Sequence, residues 1–512
     1  MSSLSPLPQT LNNLIRPVQN ALLSIPFVSE RPKLALAASI VAGLLALEQI
    51  SYRRKKKDLP GPTWKIPIIG AFLDSLYPTF DGYLAKWYSG PLSCVAVFDR
   101  FIVIASGNET SRKILSSPEF AEPALIDSMR KILCNDNWVF LSGKAHTEYR
   151  KQLNVLFTRR AMATYLPIQQ RVNAKHFDLW LSVGAKAQPF QLFFRELNME
   201  SSLRVFMGDY ITDEVATRIS EEYFRITAAL ELVNFPIALP GTKVWYAMRA
   251  RQYIVDEFMK CIPVSRKRMA AGEPVTCMLD SWTKHMMEKR GEQGEEVRVF
   301  NDREITLTIL TFLFASQDAT SSAMTWAFQL LADHPDVLQR VRDEQMAVRN
   351  GDLNATVDFE VVEKMVYTRQ TVKEILRYRP PVLMVPYQAK KSWDLSPDYT
   401  VPSGSMLIPT IWPSLHDPQV YPEPDKFNPD RWGPSGTAEK HPKNFMVFGS
   451  GTHYCLGKEY VVMHLMNVIG TASLLMDWKH HATPDSEKIV IFATTYPQDQ
   501  CVCEFTPRVA AQ

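Results

Sequence analysis

The densest chemistry in this chain sits late, in Phe448-Gly449-Ser450-Gly451-Thr452-His453-Tyr454-Cys455-Leu456-Gly457. Gly449 and Gly451 supply backbone that takes positive φ and approaches a flat ligand closely. The apolar stretch 460–475 that follows Cys455 reads as a long buried helix. A thiol at a helix N-terminus is drawn toward thiolate by the dipole and by the free N–H groups. A thiolate in a dry loop is a metal ligand, and on haem iron it favours cleavage of the O–O bond. A lone cysteine is ordinarily a structural core residue. Phenylalanine, two glycines, a basic residue and a trailing glycine at these spacings favour the ligand.

Three further groups carry chemistry only in combination. His146 and Arg150 are four apart and share one face of a helix, which otherwise is a solvated surface with scattered charges. Glu374 and Arg377 form an i, i+3 pair of a kind common by chance, with Arg431 downstream in Phe427-Asn428-Pro429-Asp430-Arg431-Trp432. Residues 302–334 read as one long helix, with Asp302 capping its start, Glu304 in its first turn and Pro335 ending it. In its middle stands Phe314-Ala315-Ser316-Gln317-Asp318-Ala319-Thr320. Alone, that is a buried helix tolerating one acid.

The Cys455 loop resembles the haem-binding signature of the cytochrome P-450 family, Phe-x-x-Gly-x-(Arg/His)-x-Cys-x-Gly, at every fixed position. The resemblance implies haem b with Cys455 as axial thiolate and metal ligand, and Phe448, Gly449, Gly451 and His453 in the cofactor-binding loop. It implies that His146, in the place of the usual tryptophan, and Arg150 donate to haem propionates. It implies a structural ion triad of Glu374, Arg377 and Arg431. It gives Asp318 the acid position of the oxygen-activating helix, with Ala319 where threonine is usual and the hydroxyl displaced to Thr320. Asp318 and Thr320 are thus the candidate catalytic pair. The implied architecture is mainly α with a smaller β portion (α+β), the cytochrome P-450 fold, behind a single N-terminal membrane anchor helix.

These elements must be positioned by a 512-residue chain of ordinary globular composition, 46% hydrophobic and 22% charged. Its net charge of +3 hides an asymmetry: residues 1–57 hold eight Lys or Arg against two Glu, a net of +6, leaving −3 for the rest. That balance excludes a nucleic-acid groove. Seven cysteines show neither a paired framework nor zinc spacing, as expected of reduced thiols facing the cytosol. Cys501 and Cys503 read as core positions of a strand.

Residues 34–50 are apolar enough for a short membrane span, and Arg53-Arg54-Lys55-Lys56-Lys57 behind them places the body on the cytoplasmic side. The organisation expected is an anchor segment over 1–57, a proline-rich hinge over 58–70 and a haem-thiolate catalytic domain over 71–512. Residues 92–98 and 101–105 read as a hairpin, 380–387 as a proline-pinned strand and 489–497 as a final hairpin. The apolar loop 228–240 is either buried or in contact with the bilayer.

Within the family, residues 312–323, 380–387 and 491–497 look like the fungal sterol C-22 desaturases of ergosterol biosynthesis. That resemblance implies a sterol substrate, a C22=C23 double bond as product, and residence in the endoplasmic reticulum membrane. Electrons are expected from NADPH through a partner cytochrome reductase, since no Gly-x-Gly-x-x-Gly segment is present. Alternatives are another sterol or lipid hydroxylase such as a 14α-demethylase, a haem-thiolate isomerase or peroxygenase needing no reductase, and a haem carrier or sensor.

Overall fold

The computed structural model describes residues 32–76, 78–124, 127–229, 238–291, 298–353 and 355–508. Its first helix, Pro32–Lys56, carries the apolar stretch and the basic run on one continuous rod. Leu36, Ile40, Leu44 and Leu47 are exposed along it, and Lys33–Lys56 is long and apolar enough to cross a membrane.

The far end of this rod is clamped to the body. Glu48 pairs with the Lys65 ammonium and accepts from the Ile68 N–H at 3.1 Å. The Tyr52 hydroxyl donates to the Pro62 carbonyl at 2.6 Å, and the Tyr399 hydroxyl donates to the Lys55 carbonyl at 2.7 Å. The proline-rich segment is therefore held at both ends, since Cys94 N–H donates to the Pro60 carbonyl at 2.8 Å.

The expected hairpin forms as Leu92–Val97 against Arg100–Ala105, antiparallel, and opens a five-stranded sheet. Met406–Pro409 joins it in parallel and Tyr387–Ala389 and Ala121–Pro123 complete it. The strand expected over 380–387 is shorter than its sequence suggested. Only Tyr387–Ala389 pairs as a strand, with one isolated bridge from Met384 to Thr410. Pro380, Pro381 and Pro386 remove the ladder donors that a longer strand needs. The last hairpin, Ile489–Phe492 with Thr494–Pro497, forms as expected. Cys501 and Cys503 are both fully buried.

Four helices make the core that positions the site: Arg159–Val183, Gln191–Met207, Asp302–Asp333 and Lys458–Leu475. Trp180 is fully buried edge-on to Phe194 at 5.1 Å and to Phe328 at 5.5 Å, locking three of them together. Truncating such a ring costs about 3–5 kcal/mol. The helix Lys458–Leu475 is buried around most of its circumference, as its unbroken apolar sequence requires. The central helix is capped by Asn301 rather than Asp302. Asn301 Oδ1 accepts from Glu304 N–H at 2.9 Å and Glu304 returns the bond to Asn301 N–H at 3.0 Å. A neutral amide one residue earlier reaches the third free N–H, which a residue inside the first turn cannot. Among the described residues the loop 228–240 contributes only its flanks, and residues 230–237 lie outside them.

Candidate active site

The Cys455 loop is built from two short 3-10 turns, Met446–Phe448 and Gly451–His453, joined through glycines. Gly451 has φ 72°, and a Cβ there would stand 2.2 Å from the Leu115 carbonyl oxygen, so only glycine packs at this point. Gly449 has φ 75°, and a Cβ on it would meet no atom within 4 Å. That open side suits the close approach of a flat ligand. Cys455 N–H donates to the Phe448 carbonyl at 2.9 Å and closes the loop just before the helix Lys458–Leu475.

The Cys455 side chain is accessible, yet the protein packed around it pushes its thiol pKa up. Accessibility with desolvation is the signature of a side chain at the floor of an internal recess. The Gly457 N–H, Arg150 and Lys458 pull the pKa down but are outweighed by burial. The backbone donor at the helix terminus thus acts toward thiolate as expected, but burial is the larger effect. A metal cation held by Cys455 would supply the missing charge, because a coordinated thiol is deprotonated outright.

The helix Gly143–Leu153 delivers His146 and Arg150 to the same loop. Arg150 donates to the Tyr454 carbonyl, next to Cys455. The His146 ring lies 3.9 Å from that of His453, at 27°, and 5.8 Å from Trp138, at 12°. Burial first, then the neighbouring charges, lowers both imidazole pKa values, that of His453 to about 4. The buried Trp138 Nε1–H has no hydrogen-bond partner among the described residues. Four donor side chains thus gather beside the recess, which fits the carboxylates of a haem. Trp138 escaped sequence reading because nothing in its neighbourhood marks it off from an ordinary core aromatic.

The central helix opens at one place. Ala315 is exposed in mid-helix, and Phe314, Ser316 and Ala319 are half-buried, while the residues on the other faces are sealed. Asp318 and Thr320 are buried, off this open face. Asp318 is ion-paired with Arg195 from the helix Gln191–Met207, and its backbone carbonyl accepts from the Tyr496 hydroxyl at 3.1 Å. Arg195 also donates to Thr227 Oγ1 at 2.8 Å. Burial disfavours its charge, but Asp318 more than compensates and raises its pKa. Arg195 carries no local sequence signal, since its partner is 123 residues away.

Beneath the loop, Glu374 is fully buried and accepts five hydrogen bonds. They come from Arg377 Nε and Nη2 at 2.9 Å, Arg431 Nε at 2.9 Å, Trp432 Nε1 at 3.0 Å and Asn428 N–H at 3.0 Å. The three charged residues meet as the sequence suggested. Trp432 and the Asn428 backbone are additions.

Residues 59–498 match the family model described as Cytochrome P450. The chain is 51% identical over 488 residues to the C-22 sterol desaturase ERG5A of Gibberella zeae, covering 92% of this chain and 91% of that one. It is 46% identical to the C-22 sterol desaturase ERG5 of Saccharomyces cerevisiae, covering 93% and 90%. It is also 46% identical to the cytochrome P450 monooxygenase oblE of Emericella variicolor, covering 91% and 92%. A solved structure of retinoic acid bound cyanobacterial CYP120A1 superposes with a TM-score of 0.76 at 23% identity, over 88% of this chain and all of that one, which supports the fold. The chain is a member of the cytochrome P450 family.

Proposed function

We propose that this chain is a membrane-anchored, haem-thiolate sterol C-22 desaturase. The observation that carries the reading is its 51% identity, over nearly the whole of both chains, to a C-22 sterol desaturase. The overall conversion is R–CH2–CH2–R′ + O2 + 2H+ + 2e− → R–CH=CH–R′ + 2H2O. Cys455 is the residue to hold the iron, and Arg150, His146, His453 and Trp138 are the donors for its propionates. Phe448, Gly449 and Gly451 shape the loop that admits the macrocycle. When bound, the haem supplies the oxygen chemistry, and protein groups set orientation and electronics.

The remaining steps belong to side chains. The open face of the central helix is small and apolar at Ala315 and Ala319, leaving room for a lipophilic substrate and little to hold bulk water. Of the three polar candidates in its middle, only Ser316 borders that face; Thr320 is buried and Asp318 is engaged by Arg195. Ser316 therefore presents protons, and Asp318 acts on it only through water. Glu374, Arg377 and Arg431 brace the loop from below without touching substrate.

In this reading 34–50 is the anchor, 58–70 the hinge and 71–512 the catalytic body of a single-pass enzyme of the endoplasmic reticulum membrane, with the body in the cytosol. The exposed apolar helix Lys33–Lys56 supports the anchoring. Electrons come from an NADPH-cytochrome reductase. The test is incubation of the haem-loaded protein with reductase, NADPH and a Δ5,7-sterol. A product lighter by two hydrogens supports desaturation. The 46% identity to a monooxygenase favours a second reading, sterol hydroxylation. A product heavier by one oxygen establishes it instead.

A further inference from the structure

The interior of the four-helix core is polar along one seam. The helix Arg159–Val183 carries Gln169, Asn173 and His176 at i, i+4 and i+7, and the helix Lys458–Leu475 packed on it carries Tyr460, His464 and Asn467 at the same spacing. All six are buried. Among the described residues, both ring nitrogens of His464 lack a protein hydrogen-bond partner, as do both amide atoms of Gln169 and Asn173. So do His176 Nδ1, Asn467 Nδ2 and the hydroxyl of Ser201 on the neighbouring helix. Buried polar atoms are almost always satisfied, and where protein does not satisfy them a small hydrogen-bonding molecule does. Water fills that role in polar interiors.

Both ends of the seam lead somewhere. At the outer end, His176 Nε2 lies 2.9 Å from Glu200, which also takes a bond from the exposed Lys175 at 2.7 Å. At the inner end, Gln169, Ser201 and Ser202 lie close to the Tyr460 hydroxyl, and Ser202 Oγ is 3.1 Å from Ser316 Oγ.

We propose that this seam is a hydrated path that brings protons from Glu200 at the surface to Ser316 on the open face of the central helix. The proposal rests on the desaturation described above, which takes up two protons per alkene. The hydroxyls of Ser201, Ser202, Ser316 and Tyr460 and the imidazoles of His176 and His464 each accept a proton at one lone pair and release another, His176 receiving it from Glu200 at Nε2 and passing one on at Nδ1. The amides of Gln169, Asn173 and Asn467 conduct nothing and hold the intervening water. For each proton taken up at Glu200 one leaves at Ser316. Every O–H or N–H bond broken is matched by one formed, and no electron moves. Ser202 reaches Ser316 directly, so the path does not pass through position 319 and the alanine in the usual threonine position does not interrupt it.

The test uses full-length haem-loaded protein with reductase, its Tyr460→Phe and His464→Leu variants, and a high-resolution structure of the parent. Water density is expected between Asn173 and His464. Tyr460→Phe, which loses one hydroxyl, is expected to fold and bind sterol as the parent does. Its share of NADPH electrons recovered as alkene falls about tenfold, below the ~10²–10⁴-fold of a direct general acid because water partly replaces the hydroxyl. Its solvent deuterium isotope effect on turnover increases. His464→Leu shows the same loss of electron recovery while keeping the parental haem content, which reports that it folds. A dry seam in the parent overturns the proposal. So do variants with parental electron recovery and isotope effect, which would leave the water structural only. A parent that desaturates no sterol sinks the functional reading instead. The isotope effect is then read on NADPH-driven oxygen consumption, which needs protons whichever product forms.

Discussion

The carboxylate of Asp318 is bound by the guanidinium of Arg195, so the only acid in the middle of the central helix is spoken for by a neighbouring helix. The pair is largely buried, with 15% and 10% of the two side chains exposed. Removing one partner of such a pair leaves the other charge unpaired and costs about 3–5 kcal/mol. Asp318→Asn and Arg195→Gln are each expected to lower the unfolding free energy, measured by denaturant titration, by that amount, and the double variant by less than the two together. Turnover per folded, haem-loaded molecule should fall by no more than ~10²-fold in Asp318→Asn, because the carboxylate stands behind the open face. A loss toward the upper end of the ~10²–10⁴-fold range of general acids would put the carboxylate in the proton path itself.

Cys455→Ala is expected to abolish the red-shifted Soret band of the reduced, carbon monoxide-bound protein. That band belongs to thiolate ligation, so its survival would remove Cys455 from the iron.

Arg150→Ala and His453→Ala are expected to weaken haem retention. A charge-assisted hydrogen bond contributes about 1.5–3 kcal/mol, roughly ten- to a hundredfold in affinity. Trp138→Phe, which removes the N–H together with one ring of the indole, should weaken it less. Haem content after gel filtration reads all three, and parental content in the Arg150→Ala/His453→Ala double variant would refute their shared role.

Glu374→Gln is expected to destabilise the fold by about 3–5 kcal/mol, since two buried guanidinium groups lose their counter-charge while the amide keeps the shape. Circular dichroism on heating measures this. A parental midpoint would show that the five hydrogen bonds, rather than the charge, hold the triad.

Glu200 supplies a pH dependence. Burial raises its pKa, but the hydrogen bonds from His176 and Lys175 prevail and bring it down to about 2. A depressed carboxylate pKa stabilises the fold above the unfolded value near 4.3 and loses that contribution as pH falls from there toward 2. Glu200→Gln should therefore narrow the stability gap between pH 6 and pH 3 by on the order of 1–3 kcal/mol in denaturant titrations. An unchanged gap would mean the carboxylate is not held by its two partners.

Much of this molecule was legible before any coordinates, for reasons that are local. The loop around Cys455 demands glycines at positions of positive φ, and the sequence has them at Gly449 and Gly451. The candidate membrane helix announces itself by an apolar run abutting five basic residues, because transfer to lipid depends on composition. The long helices declare their apolar lengths, and the grouping of Glu374 with Arg377 follows from helical spacing. What only the tertiary structure decided involves partners distant along the chain. Arg195 finds Asp318 and His146 stacks on His453; no local pattern encodes those meetings. The thiol of Cys455 has its pKa raised because burial by many segments outweighs the one helix terminus visible in the sequence. Gln169, Asn173, His464 and Asn467 each look like ordinary polar helix residues. They become a seam only when two helices nearly 300 residues apart turn the same stripes inward, because burial, which makes an unpartnered polar atom costly, is a property of packing and not of any one helix.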